Sequence, residues 1–115
     1  MRSFLRAKIH KATVTDANVE YEGSITIDET LMLKSGLREY EKVLVVDNTN
    51  GSRIETYVIK GRKNSGTICI NGAAAHHVQT GDEVIIMAFE WTNREPKKPK
   101  NILVDKNNRF VKYLS

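Results

Sequence analysis

Short apolar runs separated by turn signals dominate the chain, and sustained helical periodicity is scarce. Apolar and basic residues alternate in the first run, residues 3–14. The alternating positions are Leu5, Ala7 and Ile9 on one side and Arg6, Lys8 and His10 on the other. Because successive side chains of a strand point to opposite faces, this run predicts a strand that holds Lys8 and His10 off the core.

Further along, the pattern predicts more strands and one short helix. The helix begins after Asp28, a plausible N-cap, and stops at Gly36. Asn50-Gly51 is a hairpin signal. The predicted strands cover residues 25–27, 42–47, 53–60, 66–70 and 83–91, and residues 73–77 form one helical turn. Many short strands with one or two short helices predict a compact, mainly β barrel.

Composition and length limit the classes of protein to consider. The 115 residues, 40% hydrophobic and 28% charged, predict a single globular domain over residues 1–115. No apolar stretch is long enough for a membrane span, and five basic residues interrupt the first eleven positions, so no signal peptide is expected. The only cysteine, Cys69, cannot form an internal disulfide. A cytoplasmic location is therefore expected.

The net charge of +4 comes from the end of the chain. Residues 1–91 hold 11 Lys/Arg against 12 Asp/Glu, whereas residues 92–115 hold 7 against 2. Pro96 and Pro99 mark a lysine-rich linker, after which the chain alternates enough to add a strand or pack back on the body. Such a basic tail is more often a solvated face than a phosphate-binding one, and no nucleic-acid partner is expected.

Common cofactor and metal motifs are missing from the sequence. There is no G-x-G-x-x-G, Walker P-loop or C-x-x-C motif. His76 and His77 are adjacent, so on a helical turn they point about 100° apart and do not converge on a metal with Cys69. No metal is expected. Taken singly, Gly23-Ser24 reads as a loop and Asn71-Gly72 as a turn.

Taken together, several segments resemble the aspartate 1-decarboxylase (aspartate α-decarboxylase) family. They are A-K-I-H at 7–10, Y-E-G-S-I at 21–25, T-N-G at 49–51, T-Y at 56–57, N-G-A-A-A-H at 71–76 and G-D-E-V-I-I at 81–86. The resemblance covers residues 1–91, and the tail at 92–115 matches least. It implies a double-psi β-barrel and a homotetramer with active sites near subunit interfaces. It also implies conversion of L-aspartate to β-alanine and CO2, on the route to pantothenate and coenzyme A.

The resemblance further implies that the chain makes its own cofactor. Removal of an α-carboxylate leaves a carbanion that needs an electron sink, which no standard side chain supplies. The family uses a covalent pyruvoyl group, which forms a Schiff base with the substrate amine. Here it would come from Ser24, after the Ser24 hydroxyl attacks the carbonyl of Gly23 and the chain is cut. The products would be a β chain, residues 1–23, and an α chain, residues 24–115, capped by pyruvoyl.

The same resemblance implies a role for each remaining motif residue. Tyr57 would be the proton donor after CO2 leaves, and Thr56 would assist cleavage at Gly23 and later line the substrate site. The substrate-binding residues would be Lys8, Arg53, Thr56, Asn71, Gly72, Ala73 and Ala74. His10 and Tyr21 match the pattern without a definite role.

Strand parity conflicts with part of this assignment. Arg53 and Tyr57 are four residues apart and share a strand face, whereas Thr56 falls on the opposite face unless a bulge or the end of the strand intervenes. Two other functions stay open on the sequence alone. One is a non-catalytic β-barrel module that binds nucleic acid with its tail, and the other is a catalytically dead relative that serves only in assembly. Whether cleavage needs a helper protein is undetermined.

Overall fold

A computed structural model describes residues 1–20 and 23–114. Its nine strands form one mixed sheet in the order β2-β6-β3-β5-β4-β7-β1-β8-β9. The strands are β1 (Arg2–Thr13), β2 (Asp16–Asn18), β3 (Ser24–Asp28), β4 (Lys42–Asp47), β5 (Arg53–Gly61), β6 (Ile68–Asn71), β7 (Glu83–Thr92), β8 (Lys100–Val104) and β9 (Phe110–Tyr113). A helix α1 (Glu29–Ser35) follows β3, and a 3-10 helix (Gly72–His76) follows β6.

The core lies on one face of the strands, where apolar residues recur at every second position. Ile9, Ile25, Val45, Val58 and Ile86 are all fully buried there. Most neighbouring strands in the order are antiparallel, but β3 runs parallel to β5, β2 to β6, and β1 to β8. The predicted fold class, mainly β with short helices, is confirmed, and the mixed sheet agrees with the double-psi β-barrel that the resemblance implies.

Strand β1 is less regular than its sequence pattern suggests. Ala7 and Ile9 are fully buried as predicted, but the register against β7 shifts between Leu5 and Ala7 and again between Ile9 and Ala12. Leu5 pairs with a residue adjacent to the partner of Ala7, so the two side chains lie on opposite faces. The prediction that Leu5 shares a face with Ala7 is wrong, because a bulge adds a residue between them.

Local signals were reliable at the turns and helix ends. The Asp28 carboxylate caps α1 by accepting a hydrogen bond from the Thr30 N–H at 2.8 Å. Gly36 ends the helix in the left-handed region at φ 82°. Gly51, at φ 80°, lies in the predicted hairpin between β4 and β5. No helix in the described part of the chain is long and apolar enough to cross a membrane.

The basic tail is part of the sheet. Strand β8 pairs parallel with β1, and β9 pairs antiparallel with β8. Asn108, which is buried, accepts from the N–H of Thr13 and donates to the carbonyls of Thr13 and Gly66 at 2.8 Å each. The sequence allowed for one added strand or simple packing, whereas the structure adds two strands and anchors the turn between them.

Candidate active site

Ser24 and Asn71 face each other at the ends of β3 and β6. They are direct partners in the antiparallel ladder, and both are buried. The Nδ2 of Asn71 donates a hydrogen bond to the Oγ of Ser24 at 2.9 Å. The structure therefore brings together two residues that are 47 positions apart in the sequence and that both belong to the family pattern.

The carboxamide of Asn71 has two further partners. Its Nδ2 also donates to the Oγ1 of Thr26 at 3.2 Å, and its Oδ1 accepts from the Sγ of Cys69 at 3.3 Å. Asn71 occupies the N-cap position of the 3-10 helix, yet its side chain makes no capping hydrogen bond. The carboxamide is committed to the strand face that carries Ser24.

The chain turns sharply directly after Asn71. Gly72 has φ 75°, a left-handed conformation that favours glycine over residues with a Cβ. Ala73 is exposed and Ala74 is half-buried in the short helix that follows. Gly23 is exposed, and a Cβ added to it would meet no atom of the described residues within 4 Å, so crowding by those residues does not require glycine there. Tyr21 and Glu22 lie outside the described residues.

Strand β5 decides the parity question raised by Thr56. Its register against β4 runs without a shift from Arg53 to Tyr57, so no bulge interrupts the alternation. Thr56 pairs with the buried Val43 and lies on the core face. Arg53 and Tyr57 lie on the opposite face, which we call the outer face. The structure does not bring Thr56 onto the face of Tyr57.

The outer face also carries Ser24. The parallel ladder of β3 and β5 ends at the pair Ile25–Val58, and Ser24 and Tyr57 are the next positions along it. Because Ile25 and Val58 are both core residues, their neighbours share the other side. Ser24 and Tyr57 therefore lie side by side on neighbouring strands, on the same face of the sheet.

Lys8 lies on the outer face but far along the sheet. It pairs with Met87 of β7, which pairs with Leu44 of β4, which pairs with Glu55 of β5. In the order of the sheet, β7 and β4 stand between β1 and β5. At about 4.8 Å per strand, Lys8 is about 14 Å from β5 along the sheet. Within one chain, two strands therefore separate Lys8 from the strand that carries Arg53.

The surroundings of His10, two residues further along β1, favour its neutral form. Burial, followed by the charges of Lys8 and Lys11, lowers the pKa of His10 below its usual 6.5, and Glu83 acts in the opposite direction. Its Nδ1 is buried without a hydrogen-bond partner among the described residues. The imidazole is therefore expected to be neutral at pH 7.

Apolar side chains fill the middle of the outer face. A groove of about 500 Å³ is lined in part by Leu44, Phe89 and Trp91, together with the ion pair Lys42–Glu55 at 2.6 Å. Phe89 and Trp91 are 45% and 69% exposed. Large apolar residues exposed in one patch are typical of a surface that another protein covers.

Possible metal ligands do not converge. Within residues 1–20 and 23–114, no group of three or more His, Cys, Asp or Glu side chains is arranged to hold a metal ion. His76 and His77 are both exposed at the end of the 3-10 helix, and Cys69 hydrogen-bonds to Asn71 instead.

The sequence did not predict that Thr26 and Cys69 lie beside Asn71. The signal was present in β3, where Ser24 and Thr26 alternate with the core residues Ile25 and Ile27 and so share a face. The partner strand could not be predicted, and without it nothing linked Cys69 to this face.

Comparison with known proteins gives one family over nearly the whole chain. The family profile described as Aspartate decarboxylase matches residues 1–111. An aspartate 1-decarboxylase of Caldicellulosiruptor saccharolyticus is 60% identical over 111 residues, covering 94% of this chain and 87% of the relative. That of Exiguobacterium sibiricum is 55% identical, with coverage of 100% and 93%. Among solved structures, the computationally designed protein msDPBB_sym2 is 19% identical, with a TM-score of 0.43, covering 75% of this chain and 98% of that one.

Proposed function

The chain belongs to the aspartate decarboxylase family and decarboxylates L-aspartate to β-alanine and CO2, and we propose that it does so at a pyruvoyl group made from its own Ser24. The observation that carries this proposal is the hydrogen bond from Asn71 Nδ2 to Ser24 Oγ at 2.9 Å. Ser24 is buried, directly follows Gly23, and begins a strand, which suits a reacting group held in a fixed position.

Self-cleavage begins with the Ser24 hydroxyl. Its Oγ attacks the carbonyl carbon of Gly23, the C–N bond of that peptide breaks, and the proton passes to the freed nitrogen of Ser24. The ester then loses the Cα proton of residue 24 and the carboxylate of Gly23, which leaves dehydroalanine. Water hydrolyses its imine tautomer to pyruvoyl and ammonia. The products are a β chain of residues 1–23 and an α chain of residues 24–115.

The pyruvoyl group supplies the electron sink that decarboxylation requires. Tyr57 is the proposed proton donor to the carbon that loses CO2, because it lies on the face of Ser24 at the adjacent ladder position. The carboxamide of Asn71 and the main chain of Gly72, Ala73 and Ala74 would orient the substrate beside residue 24. The small side chains there allow a ligand to approach the main chain closely.

Two basic residues are proposed to bind the carboxylates of aspartate. Arg53 lies on the outer face with Tyr57, and its guanidinium can bind a carboxylate through two parallel hydrogen bonds. Lys8 offers a point charge from β1. Thr56 remains a prediction from the family resemblance, because its side chain lies on the core face and not beside Tyr57.

We further propose a homo-oligomer, as the tetramer implied by the resemblance requires. The apolar groove around Phe89 and Trp91 lies between Lys8 and Tyr57 on the outer face. A second copy packed there would bury the exposed aromatic residues. It would also bring the basic residues of one subunit to the Ser24 face of another. A site shared by two copies accounts for the distance between Lys8 and β5 within one chain.

The enzyme is proposed to act in the cytoplasm, where the lone Cys69 stays reduced. The route to pantothenate and coenzyme A would consume its product. A requirement for a helper protein would appear as cleavage that occurs only after incubation with cell extract.

Intact-mass spectrometry of the purified chain beside a Ser24→Ala variant tests the proposal. Two fragments that divide between Gly23 and Ser24 are expected, with the larger one blocked by pyruvoyl. The Ser24→Ala chain should stay whole and should release no CO2 from aspartate. A wild-type chain that stays whole after warming and after incubation with cell extract would overturn the proposal and favour a catalytically dead assembly subunit.

A further inference from the structure

Both ends of the Asn71 carboxamide form hydrogen bonds with neighbouring side chains. Thr26 Oγ1 accepts from Nδ2 at 3.2 Å, and Cys69 Sγ donates to Oδ1 at 3.3 Å. We propose that Thr26 and Cys69 are positioning residues that hold the N–H2 end of Asn71 toward Ser24 during self-cleavage. This inference rests on the proposed function of Ser24, and it concerns two residues outside the family motifs.

The orientation of Asn71 matters because a carboxamide has a donor end and an acceptor end of nearly equal shape. Turned the other way, its Oδ1 would face the hydroxyls of Ser24 and Thr26, and both could donate to it. Cys69 favours the observed orientation, because a protonated thiol donates to Oδ1 and is only a weak acceptor for an N–H. Burial, and then the charge of Asp16, raise the pKa of the Cys69 thiol, which therefore keeps its hydrogen at neutral pH.

The two orientations have opposite effects on the nucleophile. With N–H2 toward it, the Oγ of Ser24 accepts a hydrogen bond from Asn71, so the carboxamide does not hold the hydroxyl proton. As the Oγ–H bond breaks and the bond to the Gly23 carbonyl carbon forms, the growing negative charge on Oγ strengthens that hydrogen bond. With Oδ1 toward it, the hydroxyl would donate to Asn71 and its proton would be held back.

The strands keep this arrangement rigid. Thr26 is the direct partner of Cys69 in the antiparallel ladder, one step of two residues from the Ser24–Asn71 pair. All four side chains therefore share a face. The residues between them, including Ile25 and Ile70, are fully buried, so the ladder cannot slip without exposing the core.

Matched variants test the inference through the rate of cleavage, followed by intact mass. Cys69→Ala and Thr26→Val each remove one hydrogen bond to Asn71 and are expected to slow cleavage about 3- to 10-fold. Cys69→Ser replaces the thiol by a hydroxyl that can also donate, and Thr26→Ser keeps the hydroxyl, so both should stay within about twofold of wild type. In the double variant, Cys69→Ala with Thr26→Val, the fold reduction in cleavage rate should be much smaller than the product of the two single reductions. The reason is that both residues act through Asn71.

A second readout does not depend on cleavage. In the uncleavable Ser24→Ala background, the side-chain N–H2 resonances of Asn71 can be followed by 1H–15N NMR. Cys69→Ala and Thr26→Val should shift them and speed their exchange with solvent, whereas the serine variants should leave them nearly unchanged. A wild-type chain that is never cut would contradict the proposed function only. The NMR resonances would still report whether Thr26 and Cys69 hold Asn71 in place.

Two results would overturn the inference. One is cleavage at the wild-type rate in Cys69→Ala and Thr26→Val, with unmoved Asn71 resonances. The other is faster cleavage in Cys69→Ala, which would mean that the carboxamide presents Oδ1 to Ser24. Thermal unfolding of each variant separates lost positioning from lost folding, because a positioning role leaves the midpoint within a few degrees of wild type.

Discussion

The carboxylate of Asp28 accepts a hydrogen bond from the backbone N–H of Gly66 at 2.9 Å, which fastens the end of β3 to the loop that enters β6. The same buried carboxylate accepts from the N–H groups of Thr30 and Asn64 at 2.8 and 2.9 Å. The other ends of these two strands carry Ser24 and Asn71. One side chain thus caps α1 and aligns the two strands of the candidate site.

Replacing Asp28 by alanine should be strongly destabilising. The change removes an N-cap, worth about 1 kcal/mol, and leaves two further N–H groups without their acceptor, at about 1 kcal/mol or more each. We expect a loss of about 3 kcal/mol in urea unfolding. Asp105→Ala is the control, because Asp105 accepts from Asn107 and Arg109 N–H groups in an exposed turn and should cost under about 1 kcal/mol. Equal losses in both variants would contradict the role of burial.

Asp47→Asn should stabilise the protein at neutral pH. Asp47 is buried, and its Oδ1 accepts from the N–H groups of Thr49 and Asn50. Its Oδ2 has no donor among the described residues and faces the carboxyl of Asp82, so the two can share a hydrogen bond only if one is protonated. An asparagine keeps the acceptor and supplies the missing donor, for an expected gain of about 1 kcal/mol.

The effect of Asp47 should depend on pH in a defined direction. Burial, followed by the side chain of Asp82, raises the pKa of Asp47 above its usual 3.8. The native state therefore binds the proton more tightly, and wild-type stability falls as the pH rises from 3.8 through the raised pKa. The gain from Asp47→Asn should be largest at pH 7 and smallest below 3.8. Unfolding at pH 3.5, 5 and 7, at one protein concentration, measures it, and a constant gain would contradict the assignment.

Tyr57→Phe should separate cleavage from turnover. The variant keeps Ser24 and should still be cut, but it lacks the proposed proton donor, so kcat for aspartate should fall about 100-fold or more. Tyr40→Phe is the matched control, because Tyr40 is 72% exposed and should turn over normally. Wild-type kcat in a fully cleaved Tyr57→Phe enzyme would assign the proton donor elsewhere.

Gly66→Ala and Gly51→Ala should differ in cost although both glycines have positive φ. A Cβ at Gly51 would meet no atom in the described part of the chain within 4 Å, so the substitution carries only the backbone strain of about 1 kcal/mol. At Gly66 a Cβ would lie 2.7 Å from the carbonyl oxygen of Asn107. We expect Gly66→Ala to cost at least about 1 kcal/mol more in thermal or urea unfolding. Equal costs would show that the turn near Asn107 yields freely.

Local chemistry in the sequence was enough to predict several elements. The helix α1 begins after Asp28 and ends at Gly36, as predicted, because capping and left-handed termination depend only on neighbouring residues. Apolar runs bounded by turn signals located β4, β5 and β7 to within one residue at each end, because such runs are typical of strands. The motifs indicated the family, which the relatives confirm.

Pairing between distant strands was decided only by the tertiary structure. The alternation along β5 could not show whether Thr56 and Tyr57 share a face, because a bulge between them would have changed the face of one. The unbroken register against β4 places them on opposite faces. In β1 the opposite occurred, as a bulge moved Leu5 away from Ala7. The hydrogen bonds of Asn71 with Thr26 and Cys69 likewise depend on the pairing of β3 with β6. Which side chains can meet is set by which strands become neighbours and in which register.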